Sequence, residues 1–208
     1  SLGLCSRWRR QFTTSIEINS GDKVLDVCAG TNGVGIALLN RQPNLNVVAI
    51  DRSAAMQEVG QRRAHARGFQ IESCIDDVHA LPFPDASFDI VTLQFASRHL
   101  GVVDVFSEIR RVLRPGGSFY HCDMLKPENP VVASLYGIYL KACVSGTALA
   151  FRSGAAAWNS RDYFVRAIEL FYSAAELTEL LKRIGFTKVT STAAPGGVVA
   201  WHRADTTA

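Results

Sequence analysis

Short apolar runs alternate with longer helical patterns along most of this chain, and that alternation limits the fold more than any other feature. Candidate strands are Lys23–Ala29, Asn46–Asp51, Gln70–Ile75, Asp89–Phe95, Ser118–Asp123, Thr187–Thr192 and Val198–His202. The early strands are nearly continuous in apolar residues ("VVAI", "DIVTLQF"), as strands buried on both faces of a parallel sheet are. Helical segments lie between them. Ser53 can cap a helix running to about Arg67, with Gly68 at its end, and Ser173 with Glu176 fits a capping box for a helix ending before Gly185. Pro115-Gly116-Gly117 marks a sharp turn into the fifth strand. Alternating strands and helices imply an α/β, doubly wound, Rossmann-like sheet. The segment Ala193–Gly197 is too short for a crossover helix, so the last two strands should form an antiparallel hairpin. The stretch 127–171 is too long for one crossover and carries Leu135, Tyr136, Tyr139, Leu140, Phe151, Trp158 and Tyr163. We expect a helical insertion there, either over the carboxyl ends of the strands, where ligands of open α/β sheets bind, or as extra core.

At 208 residues the chain is expected to form a single domain, and 48% hydrophobic with 20% charged residues is ordinary for a globular protein. A net charge of +3 does not demand a polyanionic partner. Neither a membrane-length apolar run nor a signal-peptide-like start is present, and the missing initiator Met suggests a trimmed fragment. Cys5, Cys28, Cys74, Cys122 and Cys143 are scattered and never form a C-x-x-C pair, which points to reduced thiols in a cytoplasmic protein and away from zinc.

The stretch "VLDVCAGTNGVG" reads as a strand that ends in a glycine loop and opens a helix. Gly30 allows close backbone approach, Ala29 and Thr31 are small, and Asn32 tolerates positive φ where nucleotide loops often have glycine. Asp51 follows at the end of the second strand, 21 residues beyond Gly30, where a carboxylate can accept from ribose hydroxyls. The order Gly30, Gly33, Gly35 is wrong for a dinucleotide. A phosphate-free nucleoside ligand, S-adenosylmethionine, fits better, with Asp26 near its amino-acid end. In "CIDDVHALPF", Asp77 can accept from an adenine amino group and Val78 can give the ring a backbone contact, although Asp76 could take Asp77's part or be merely solvated.

"LPFPDASFDIVTLQFASRHL" followed by "EIRRVLRPGG" is similar to class I S-adenosylmethionine-dependent methyltransferases. More narrowly, the chain resembles the ubiquinone/menaquinone biosynthesis C-methyltransferase family. "SLGLCSRWRR" looks like that family's S-x-G-x-H-x-x-W-K/R segment, with Cys5 at the His position. "CDMLKP" resembles its L-E-F-x-K-P, with Asp123 at the Glu position, and "APGGVVAWHRA" its closing strand. The family's F-G-x-R-N reads Phe95-Ala96-Ser97-Arg98-His99, and its S-Y-x-Y-L-x-E-S reads Ser160 to Ala167, with the first Tyr and the Glu both Arg. The resemblance implies a seven-stranded sheet ordered 3-2-1-4-5-7-6 and S-adenosyl-L-methionine as cofactor. The candidate cofactor residues are Asp26, Cys28, Gly30, Thr31, Asp51, Arg52, Asp77, Val78, Gln94 and Phe95. Phe95, Ala96 and Arg98 are placed beside the methyl group.

Methylation of a phenol ring carbon needs the ring hydroxyl ionised or hydrogen-bonded to a base. Arg98 acting through water, His99, Tyr163 and Asp123 are the candidates, with no choice among them. His121 and Asp123 share a strand face but are too few for a metal site. Trp8 with Arg7, Arg9 and Arg10 is expected to be a solvated helix face, as are Arg62, Arg63 and Arg67, while His65, His79 and His202 are expected to be structural or solvated. The leading expectation is C-methylation of a small lipophilic quinol or aromatic acceptor. That reading allows a peripheral membrane contact and a homodimer. O- or N-methylation of another metabolite and a cofactor-binding protein without activity are the alternatives. A nucleic acid methyltransferase is disfavoured, because Gln94-Phe95-Ala96-Ser97 stands where a flipped-base motif would be.

Overall fold

Period-two alternation divides the strand residues between two apolar layers. In this computed structural model, which describes residues 4–150, 166–168 and 170–207, Leu25, Val27, Val91 and Leu93 pack on one face of the sheet and Val24, Val47, Ala49 and Ile90 on the other. The strands are β1 (Lys23–Val27), β2 (Asn46–Ile50), β3 (Glu72–Cys74), β4 (Phe88–Gln94), β5 (Leu113–Met124), β6 (Thr187–Ala193) and β7 (Val199–Asp205). Their order is 3-2-1-4-5-7-6. β1 to β5 are parallel, and β7 runs antiparallel to both β5 and β6, closing the sheet with the expected hairpin.

Helices α1 (Leu4–Ser15), α2 (Gly33–Arg41) and α3 (Ala54–His65) accompany the first strands. Phe12, Ile16, Val34, Leu38 and Ala64 place all three in the layer that contains Val24. Helices α4 (Val102–Val112) and α6 (Ala174–Ile184) cover the opposite face through Phe106, Ile109, Leu177 and Leu181, while α5 (Pro130–Ala150) follows β5. The capping signals act as read: Ser53 accepts from the Met56 N–H, the Ser173–Glu176 box is closed, and Gly185 ends α6 at φ 102°.

Two boundaries depart from expectation. β3 is shorter, since an edge strand paired only with β2 loses its ends to solvent, and Ile75 is exposed. β5 already starts at Leu113. Leu113 pairs with Phe88 and Ser118 with Ile90, so the Pro-Gly-Gly turn is a bulge inside the strand rather than a turn before it, with Gly116 at φ 77°. Phe151, Trp158, Tyr163 and the Ser160–Val165 part of the substituted segment lie outside the described residues.

Candidate functional site

The loop after β1 takes backbone shapes that normally call for glycine. Cys28, Gly30 and Asn32 have φ of 55°, 55° and 58°. Only one of these residues is glycine, so the surroundings hold the other two in place. Asn32 is fully buried, and its Oδ1 accepts from Gln57 Nε2 at 3.0 Å. The same Gln57 nitrogen donates to the Gly30 carbonyl at 2.9 Å, while Gln57 Oε1 accepts from Ser73 Oγ at 2.7 Å. Space for the Asn32 amide comes from Gly60, where a Cβ would lie 2.7 Å from Asn32 Cγ. Neither Gln57 nor Gly60 was picked out from the sequence, because a glutamine and a glycine within a helical pattern carry no local signal.

Asp51 fixes the other side of the loop. Its Oδ2 accepts from the Gly30 N–H at 2.8 Å and its Oδ1 from the Ser53 N–H at 2.9 Å. Thr31 receives Arg63 Nη1 on its hydroxyl at 2.6 Å, so Arg63 ties α3 to the loop and is not merely solvated.

The loop and Asp51 border a cavity of about 350 Å³ whose wall includes Asp26, Cys28, Gly30, Thr31, Asp51, Gln94 and Phe95. Arg52, Asp77 and Val78 are not part of that wall. Arg52 is exposed, Val78 is buried in the layer beneath α4, and Asp77 is exposed, with its carboxylate held low by the backbone and ring N–H groups of His79. Asp26 is almost fully buried. It accepts from Thr92 Oγ1 at 2.8 Å and more weakly from the Gly35 N–H, and burial pushes its carboxyl up to about 6. Burial, reinforced by Asp51 and Asp26, pushes the Cys28 thiol up to about 12, so it stays protonated. Arg9 also lines the cavity and donates from Nε to Gln94 Oε1 at 3.3 Å. The expectation of a solvated helix face is therefore corrected for Arg9. Trp8 beside it packs on Phe95, with ring centroids 6.4 Å apart. The buried Gln94 amide nitrogen meets no better acceptor than the Cys122 thiol.

A second polar group lies past β4 and at the end of β5. The Arg98 guanidinium donates from Nη1 to Asp123 Oδ1, and both side chains are buried, at 6% and 0% exposure. Asp123 Oδ1 also accepts from the Met124 N–H at 2.7 Å. His99 is exposed, and partial burial and the Arg98 charge lower its pKa. Tyr163 lies outside the described residues. Among the described residues no three His, Cys, Asp or Glu side chains cluster as metal ligands.

The ubiE/COQ5 methyltransferase family matches residues 1–206. Demethylmenaquinone methyltransferase of Clavibacter sepedonicus is 34% identical over 98% of this chain and 81% of its own length. The mitochondrial 2-methoxy-6-polyprenyl-1,4-benzoquinol methylase of Pongo abelii is 29% identical over 97% of this chain and 72% of its own. A SAM-dependent methyltransferase from Aquifex aeolicus shares the fold, with a TM-score of 0.66 at 18% identity, over 95% of this chain and 88% of the other. The glycine-loop cavity with its spaced acids and a match spanning nearly the whole chain lead to one conclusion: the protein belongs to the ubiE/COQ5 methyltransferase family and is an S-adenosylmethionine-dependent methyltransferase of a small-molecule acceptor.

Proposed function

We propose that the whole chain works as one methyltransferase unit that moves a methyl group from S-adenosylmethionine to a ring carbon of a lipophilic quinol. The observation that carries this reading is the 34% identity to a demethylmenaquinone methyltransferase over 98% of the chain. The cavity suits the cofactor by charge. Asp26 faces the ammonium, Arg9 the carboxylate, and Asp51 the ribose hydroxyls, with its second lone pairs free after the Gly30 and Ser53 bonds. Bound there, S-adenosylmethionine supplies an electrophilic methyl on a sulfonium. The protein's work is then to align the acceptor, keep water off the sulfonium and hold the ring oxygen, with its proton and the one displaced from the methylated ring carbon both passing to solvent. Arg98 keeps its charge and cannot take that proton, but it can stabilise the phenolate that makes the ring carbon nucleophilic. Asp123 is fully buried against Arg98 and serves as its anchor.

A lipophilic acceptor would draw a cytoplasmic enzyme to a membrane face. Among the described residues no helix is long and apolar enough to cross a membrane. Val131, Leu135 and Ile138 recur along one side of α5 at 65%, 63% and 63% exposure, and a peripheral membrane contact or a second copy of the chain would cover them.

The test has two stages. Calorimetric titration of S-adenosylmethionine should show binding that Asp51→Ala weakens by about tenfold or more, the loss of at least one charge-assisted hydrogen bond. Incubation with methyl-labelled cofactor and a reduced short-chain demethylmenaquinone should then place the label on ring carbon. Binding that ignores Asp51→Ala would overturn the cofactor assignment. Label on oxygen or nitrogen of compounds in a phenol and amine panel, with none on quinol carbon, would overturn the acceptor assignment.

A further inference from the structure

Behind the Arg98–Asp123 pair runs a buried chain of hydrogen bonds that the function above does not use. Asp123 Oδ1 is occupied by Arg98 and the Met124 N–H, while Oδ2 meets Ser97 Oγ at 2.6 Å. Ser97 Oγ lies 2.8 Å from His121 Nε2, and Ser97, His121 and Asp123 are all 0% exposed.

The direction of each proton follows from elementary accounting. A carboxylate held against a guanidinium is ionised and only accepts. The single Ser97 hydroxyl proton must therefore go to Asp123. Ser97 then accepts from His121, so His121 carries its proton on Nε2. Burial drives the His121 pKa well below its usual value, so the ring is neutral and Nδ1 is bare. The groups around the ring leave this tautomer in place. Phe106 and Phe119 pack on it at centroid distances of 5.7 and 6.1 Å. His202, its cross-strand partner, has its ring 5.6 Å away and is itself neutralised by burial. The Nε2–H of His202 is spent on the Ala174 carbonyl at 3.1 Å.

The placement of these residues gives the chain a use. Ser97 lies in the short turn after β4 and immediately precedes Arg98, whereas His121 and Asp123 are on β5. Asp123 is also one methylene shorter than the glutamate that the L-E-F-x-K-P resemblance puts there, and the Ser97 hydroxyl meets the retracted carboxylate. We propose that Ser97 and His121 are positioning residues for methyl transfer. Their relay stops the Asp123 carboxylate from turning and so presents the Arg98 guanidinium to the acceptor's ring oxygen in one orientation. This inference rests on the acceptor-side role given to Arg98 above.

The test uses the full chain and two readouts. The first needs no acceptor. In 15N-labelled protein, the Arg98 guanidinium resonances should be resolved and slowly averaging in the wild type, and averaged in Ser97→Ala and His121→Phe. Unchanged Arg98 signals in both variants would overturn the proposal. The second readout is kinetics with the reduced short-chain demethylmenaquinone. Both variants should lose about 10- to 100-fold in kcat while the S-adenosylmethionine Kd stays near wild type, and although a buried group losing its partner lowers the melting temperature of each, both should remain folded at the assay temperature by circular dichroism. The double variant should be no worse than Ser97→Ala alone, because His121 acts through Ser97. His121→Gln, whose amide can donate from near the Nε2 position, should recover most of the rate. Wild-type kcat, additive losses, or equal damage from His121→Gln and His121→Phe would each refute the relay. Arg98→Lys with full kcat would instead sink the Arg98 reading, and the resonance readout would still decide whether the relay holds Arg98.

Discussion

The two faces of the sheet solve different problems at the same carboxyl edge. On the side of α1, α2 and α3, the cavity proposed for the cofactor is shaped by the left-handed turns at Cys28, Gly30 and Asn32. On the side of α4 and α6, Arg98, Asp123, Ser97 and His121 form a buried cluster of side chains. Backbone shape survives a change of residue if the new residue reaches the same φ and its neighbours make room. A buried polar cluster does not, because removing one member leaves another unsatisfied in a low dielectric. The lesson is that the loop after β1 can hold its shape with few glycines, while the Arg98–Asp123 cluster can change only by exchanging several residues together.

Asp123→Ala should test that difference most severely. It leaves the buried Arg98 charge without its carboxylate, and urea denaturation should show a loss of about 3–5 kcal/mol. An equal loss from Asp51→Ala, whose two backbone bonds can be replaced by water at the cavity wall, would erase the contrast.

A smaller effect is expected at Gly60. A Cβ there meets Asn32 Cγ at 2.7 Å and the Thr31 backbone carbon at 3.0 Å, so Gly60→Ala should cost about 1–3 kcal/mol by overpacking. Adding Asn32→Gly removes one of those two collisions and suits the positive φ at that position, so the double variant should regain part of the loss in the same denaturation assay. An additive double variant would mean that Gly60 is not the partner that lets Asn32 replace a glycine.

The smallest effect is a pH dependence confined to the cofactor side. With Asp26 near 6 in the free protein, an arriving ammonium must displace a proton below that pH. S-adenosylmethionine affinity should be full above pH 7 and fall as pH drops through about 6, approaching tenfold per unit. Calorimetry in buffers of different ionisation enthalpy should show the released proton, and Asp26→Asn should flatten the profile. Stability carries the opposite sign. A carboxyl raised by burial favours the folded state at low pH, and that contribution is lost as pH rises through about 6. Affinity unchanged between pH 5 and 8 would remove Asp26 from the ammonium role.

Much of this was legible in the sequence because it is local or periodic. Alternating apolar runs determined the α/β sheet, the short Ala193–Gly197 connection determined the closing hairpin, and Ser53 and Ser173 marked helix starts. The spacing from Gly30 to Asp51 singled out two residues that the structure joins by a hydrogen bond, and Asn32 announced its tolerance of positive φ. Only the tertiary structure decided which distant side chains complete these pieces. It turned Arg9 from a surface charge into a wall of the cavity, placed Gln57 and Gly60 beneath the altered loop, and joined Ser97 to His121 across 24 residues. The physical reason is that backbone conformation and amphipathic period are properties of neighbours in sequence. A buried hydrogen bond, by contrast, depends on which strands the sheet order brings side by side, and no single residue carries a sign of its partner.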